Sequence, residues 1–161
     1  MFPADDGDER PGSVVPAGLH LASFGRRIAA LLIDEIVLVL PVLAVFWLAG
    51  YPPNDAISED LAVWFTAAGT GLSLVYETVA IWRWQQTVGK WAMGIKVVSV
   101  VDGGEIGLTR AFQRSLVPAA LGAIPQVGLF LGFGVYMWAF TDRMRQGIHD
   151  KAAGSLVVGA R

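Results

Sequence analysis

Three carboxylates stand where a carboxylate is costly: Asp34 and Glu35 in one long apolar run, and Glu77 in another. An ionised acid at mid-bilayer costs at least about 2.5–3.5 kcal/mol on insertion scales, so each needs a cation, a proton or a set of hydrogen-bond donors. Arg27 precedes Asp34 by seven residues, two helical turns, which puts both on one helix face. Helix rise sets them roughly 10 Å apart. That is too far for direct contact, so a third group must bridge them. Carboxylate oxygens are hard ligands that suit a small cation. A low-dielectric setting also favours the protonated acid, which is the condition for proton exchange near neutral pH.

Other chemistries find little support. The 161 residues include no cysteine and two histidines, His20 and His149, which leaves no thiolate metal site, disulfide framework or histidine cage. No Ser/His/Asp constellation presents itself, so the chain does not read as an enzyme, and no cofactor or metal is implied. Gly89-Lys90 lacks the upstream glycine spacing and the following Ser or Thr of a phosphate-binding loop. The formal net charge of −2 argues against a nucleic-acid partner.

The elements that must position these residues are mostly membrane segments. Hydrophobic residues make up 54% of the chain and charged ones 16%, against about 25% charged in soluble domains. The runs 28–49 and 61–82 are each long enough, at roughly 33 Å as helices, to cross a hydrocarbon core of about 30 Å. Pro41 lies within the first and is tolerated if a neighbour satisfies the freed carbonyl. Gly, Ala, Ser and Thr crowd the second and favour close helix packing. The six tryptophans read as interfacial anchors. The loop 50–60 carries no Lys or Arg, whereas Arg26 and Arg27 precede the first run and Arg83, Lys90 and Lys96 follow the second. The positive-inside rule then puts the N-terminus and residues 83–114 in the cytoplasm. Ile95–Val101 is a β-branched stretch closed by an Asp-Gly turn signal. Thr109 is a candidate N-cap for the next helix.

Residues 115–140 admit two readings. One is a single tilted span. The other is a hairpin of helices over about 109–124 and 129–141, turning at 125–128, which keeps Arg143, Arg145 and Lys151 inside and lets 155–158 pair with 96–101. The second reading is preferred. The expected fold is an all-α membrane protein, a small helical bundle of three to four membrane segments with a short cytoplasmic β element. Residues 1–21, acidic and rich in Pro and Gly, are expected to be a disordered cytoplasmic tail, and residues 22–159 the membrane domain.

Four motifs in order then carry a resemblance. Arg27-x-x-Ala30-x-x-x-Asp34, Gln86-Thr87-Val88-Gly89-Lys90-Trp91-x-x-Gly94-Ile95-Lys96-Val97-Val98, Leu108-Thr109-Arg110-Ala111-x-x-Arg114-Ser115 and Gly147-Ile148-His149-Asp150-x-x-Ala153-Gly154-x-x-Val157-Val158 together resemble the RDD family. Its name-giving arginine and two aspartates match Arg27, Asp34 and Asp150. Val88 stands where the family usually has proline, and Glu35 directly after Asp34 is less usual. The resemblance implies an integral membrane protein and allows, without requiring, cation or proton exchange.

A polar cluster of Arg27, Asp34, Glu77 and Asp150 is therefore expected near the cytoplasmic leaflet, either as a cation or proton site or as a clamp that fixes packing. Lys90, Arg110 and Arg114 are expected at the interface, as topology determinants or lipid contacts. The corresponding functions are cation/proton transport or exchange and, alternatively, an accessory or assembly subunit of a larger membrane complex, such as a respiratory one. A lipid-interacting envelope role is a third. The expected setting is the cell's inner (plasma) membrane, multi-pass, with both termini cytoplasmic. The partners are the lipid bilayer and either a homo-oligomer or a larger complex.

Overall fold

A computed structural model describes residues 15–16, 18–51, 58–124 and 127–160. The long apolar run forms α1 (Phe24–Leu48), which buries only Ala30, Asp34 and Val42 among its 25 residues. Leu32, Ile36, Leu40 and Val45 point outward. Such a surface is stable only against lipid or a partner. Among the described residues α1 is the one helix both long and apolar enough to cross a membrane. The second run forms α2 (Glu59–Trp84), 26 residues long, opened by Ser58, whose hydroxyl accepts from the Leu61 N–H. Its polar and small residues, Glu77 among them, dilute its apolar character. Residues 52–57 of the loop between these helices lie outside the described set.

A short α3 (Val88–Ala92) leads into β1 (Ile95–Ser99). Residues 115–140 fold as two helices, α4 (Leu108–Gly122) and α5 (Gly128–Met137), packed on each other and followed by a 3-10 turn at Trp138–Phe140. That is the hairpin arrangement. Residues 125–126 of the expected turn lie outside the described set. By helix rise α4 is about 22 Å long and α5 about 15 Å, both shorter than a bilayer core. The cap of α4 is Gly107, not Thr109 as expected. Thr109 already lies within the first turn.

The chain closes with α6 (Ile148–Ala153) and β2 (Ser155–Gly159). β2 pairs antiparallel with β1, in a register from Ile95 opposite Gly159 to Ser99 opposite Ser155. This is the pairing expected between 155–158 and 96–101. One face of the ribbon, Ile95, Val97 and Val157, packs with Ala22, Ala30, Ile81 and Ala111. The other, Val98, Leu156 and Val158, packs with Leu19, Leu21 and Met144. Period-two alternation produces these two faces.

One boundary shifts. Of the expected 1–21 tail, residues 1–14 and 17 lie outside the described set. Residues 20–22 instead line the free edge of β2: Leu21 bridges Val158, the Ala22 N–H donates to Val157, and the Gly159 N–H donates to His20. An open strand edge carries unmet backbone donors and acceptors, and these residues satisfy them.

Candidate functional site

The acids and bases of α1, α2, α3, α4 and α6 form one alternating chain of charge. Arg27 stands 3.7 Å from Asp150, and Asp150 accepts from Arg114 Nε at 3.0 Å. Arg114 Nη1 donates to Glu77 at 2.7 Å; Glu77 accepts from Lys90 Nζ at 3.4 Å, and Lys90 lies 3.9 Å from Asp34. Arg27 and Asp34 thus do not touch. Four residues bridge them, where one bridging group was expected.

Each end is tied down further. Asp34 accepts from the Tyr76 and Thr87 hydroxyls and from the Gly89 N–H at 2.8 Å. The last bond needs close backbone approach, and Gly89 permits it: any Cβ there would collide with the Ala30 carbonyl. Thr87 is also the N-cap of α3, accepting from the Lys90 N–H. Val88 opens α3, a position that suits proline. Here its N–H donates to Tyr76 Oη at 2.8 Å, a bond proline could not make.

At the other end Arg27 donates to the carbonyls of Arg145 and Val157. The loop that presents Arg145 is ordered by Asp142, which accepts from the Met144 and Gln146 N–H groups. Asp150 accepts from the Gly147 N–H at 3.2 Å and the Ser155 hydroxyl at 3.2 Å.

Lys90 and Arg114, expected with Arg110 at the interface, are buried inside this chain. Only Arg110 is exposed. The physical reason lies in α4, where Ala111, Arg114 and Ser115 share the buried face by helical spacing. The sequence expectation placed Arg27, Asp34, Glu77 and Asp150 together. It left out Tyr76, Thr87 and His149, and it assigned Lys90 and Arg114 elsewhere. Glu35 faces away, exposed in a groove with Phe65, Gly69 and Ser73 of α2. It forms no ion pair among the described residues.

His149 is 2% exposed and its Nε2 lies 3.1 Å from Arg114 Nη2. A guanidinium only donates, so Nε2 accepts and the neutral ring carries its proton on Nδ1. Burial lowers the His149 pKa from 6.5 to about 4, and Arg114 and Lys90 add to this against the pull of Asp150 and Glu77. Burial alone would raise the Asp150 carboxyl; Arg114, Arg27 and the Gly147 N–H outweigh it and hold it below the usual carboxylate range.

Both shifts point the same way. As pH falls from about 6.5 toward about 4, the unfolded chain binds a proton at His149 that the fold refuses, so stability is lost across that window. The Asp150 contribution is present above the usual aspartate pKa of about 3.9 and lost below it. Melting of the detergent-solubilised protein should therefore shift down between pH 6.5 and 4, and His149→Gln should remove the slope there. An identical pH profile for the two proteins would contradict this account.

Comparison with known proteins agrees with the motifs. The RDD family profile matches residues 21–154. An uncharacterized protein of Bacillus subtilis (strain 168), YckC, is 30% identical over 141 residues, covering 86% of this chain and 85% of its own length. No solved structure matches. With the name-giving residues Arg27, Asp34 and Asp150 joined in one charge chain, the protein belongs to the RDD family.

Proposed function

We propose that the protein is a non-enzymatic accessory or assembly subunit of a larger membrane complex, with the alternating charge chain as its internal clamp. The observation that carries this reading is the one-to-one balance of Arg27, Lys90 and Arg114 against Asp34, Glu77 and Asp150. Every one of these carboxylates is already held by a cation and by further donors. Buried networks satisfied in this way fix a unique packing. Among the described residues no group of three His, Cys, Asp or Glu is arranged to hold a metal ion.

The proposed setting is the cell membrane, with α1 and α2 crossing it, α4 and α5 dipping in as a hairpin, and both termini cytoplasmic. Tryptophan placement supports this. All six are exposed. Trp47 lies near the end of α1 and Trp64 near the start of α2, whereas Trp82 and Trp84 close α2. Helix rise separates Trp64 from Trp82 by roughly 27 Å, close to a hydrocarbon thickness. Glu35 supplies the partner-facing feature. An exposed acid in a mostly apolar groove suits a basic or hydroxyl-bearing helix of another subunit, or a second copy of this chain.

Purification in mild detergent should recover stoichiometric partners, and Glu35→Gln should weaken that association by about tenfold, the worth of one charged hydrogen bond. A lone, monodisperse wild-type particle would overturn the reading. A second reading, cation/proton exchange through Asp34, Glu77 and Asp150, is favoured by the two longest links of the chain. These are Arg27–Asp150 at 3.7 Å and Lys90–Asp34 at 3.9 Å, the contacts an incoming ion would displace. It requires a cation-driven pH change in proteoliposomes that Asp34→Asn abolishes. Sealed vesicles without flux would remove it.

A further inference from the structure

A cavity opens at the Arg27 end of the clamp, where two donors take no part in the chain of charge. It measures about 40 Å³ and lies between the first turns of α1 and the end of α5. Its apolar walls include Phe24, Ile28 and Leu31, which helical spacing puts on one face of α1, and Met137. Its polar lining is Arg27, Lys90, Arg114, Tyr136, His149 and the Asp150 carboxylate, three cations against one acid. Two N–H donors of these residues, Arg27 Nε and His149 Nδ1, are buried and have no partner among the described residues. Nδ1 carries the proton because Arg114 occupies Nε2.

Unmet buried donors are costly, and both residues line this cavity, where an acceptor would answer them. The cavity is partly open and takes a few water-sized groups, at about 10–15 Å³ each, enough for the oxygens of an oxyanion and not for a whole headgroup. Anything attached to that oxyanion must lie along the apolar wall.

We infer that this cavity binds a phosphate oxygen of a membrane phospholipid, held by Arg27 Nε–H and His149 Nδ1–H, with an acyl chain along Phe24, Ile28 and Leu31. The inference rests on the membrane placement proposed above and is independent of the subunit reading. Arg26 and Arg143, both exposed, stand near in sequence to Arg27 and Arg145 and add positive charge for an anionic headgroup. Within the clamp the charges balance one to one, so the excess positive charge comes from outside it.

Native mass spectrometry of protein released from phosphatidylglycerol nanodiscs tests it. Wild type should retain one phospholipid. His149→Gln, which keeps an acceptor for Arg114 but removes the Nδ1 donor, should lower retention by about tenfold. Leu31→Trp, which fills the cavity from its apolar side and leaves every charge in place, should lower it as far. Millimolar inorganic phosphate should not displace the lipid. Equal retention by wild type and Leu31→Trp would overturn the inference. So would displacement by phosphate alone, or a wild-type protein that emerges without lipid and holds only water there. Absence of the chain from the membrane fraction would instead refute the placement.

Discussion

Arg114→Leu is expected to lower stability by at least about 3–5 kcal/mol, the cost of leaving a buried charge without its partner. One guanidinium here serves Glu77, Asp150 and His149 at 2.7, 3.0 and 3.1 Å, and the residue is 1% exposed. Leucine removes all three bonds, leaving Glu77 with Lys90 as its one cation among the described residues and Asp150 with the more distant Arg27. The chain of charge then breaks in the middle, and α2 is no longer tied to α6. Domains are stable by only about 5–15 kcal/mol, so the variant should accumulate poorly and melt far below wild type. Arg114→Lys tests the geometry. It keeps the charge but not the three-way fork, and it should recover only part of the loss. Thermal unfolding in detergent, followed by size-exclusion chromatography, measures both. Wild-type melting of Arg114→Leu would show that Lys90 and Arg27 suffice for Glu77 and Asp150.

Gly89→Val is expected to be nearly as damaging, at about 1–3 kcal/mol or more by overpacking. The reason is backbone against backbone. A Cβ at Gly89 would occupy the position of the Ala30 carbonyl and press on Asp34 Cγ at 2.9 Å. Either α3 retreats from α1, breaking the Gly89 N–H bond to Asp34, or α1 bends. Because the obstacle is the main chain of residue 30, Ala30→Gly should not rescue the variant. Rescue by Ala30→Gly would place the collision at the side chain instead. The same melting assay decides it.

Parts of this arrangement were legible in the sequence because misplaced charge is conspicuous. Asp34 and Glu77 interrupt apolar runs, and membrane energetics demand partners for them. The ribbon between 155–158 and 96–101 was legible because two β-branched stretches each lacked a mate. Arg114 was not. On α4, which begins polar, two arginines four residues apart look equally interfacial, and only packing separates exposed Arg110 from buried Arg114. Lys90 was hidden for a related reason. Its motif reads as a surface turn until Gly89 is seen against Ala30, and then the following residue must point inward. Tyr76 and Thr87 left no signal of their own, since hydroxyls are common in small-residue membrane helices and at helix caps. Residues 20 and 21 look like tail because their role, covering the edge of β2, depends on a strand encoded more than a hundred positions later.

The order in which the clamp is assembled has a bearing on biogenesis. Arg27 and Asp34 are among the first residues of the domain to be translated, whereas Asp150, the Val157 carbonyl and the edge that receives Leu21 come after every other helix. Until those final elements emerge from the ribosome, Arg27 of the first helix is an unanswered cation and Arg114 of α4 is answered only in part, by Glu77. Only a chain translated through β2 can bring its head and tail together. A stalled or clipped product would keep exposed charge at the bilayer, a mark by which membrane proteases could tell unfinished copies from finished ones.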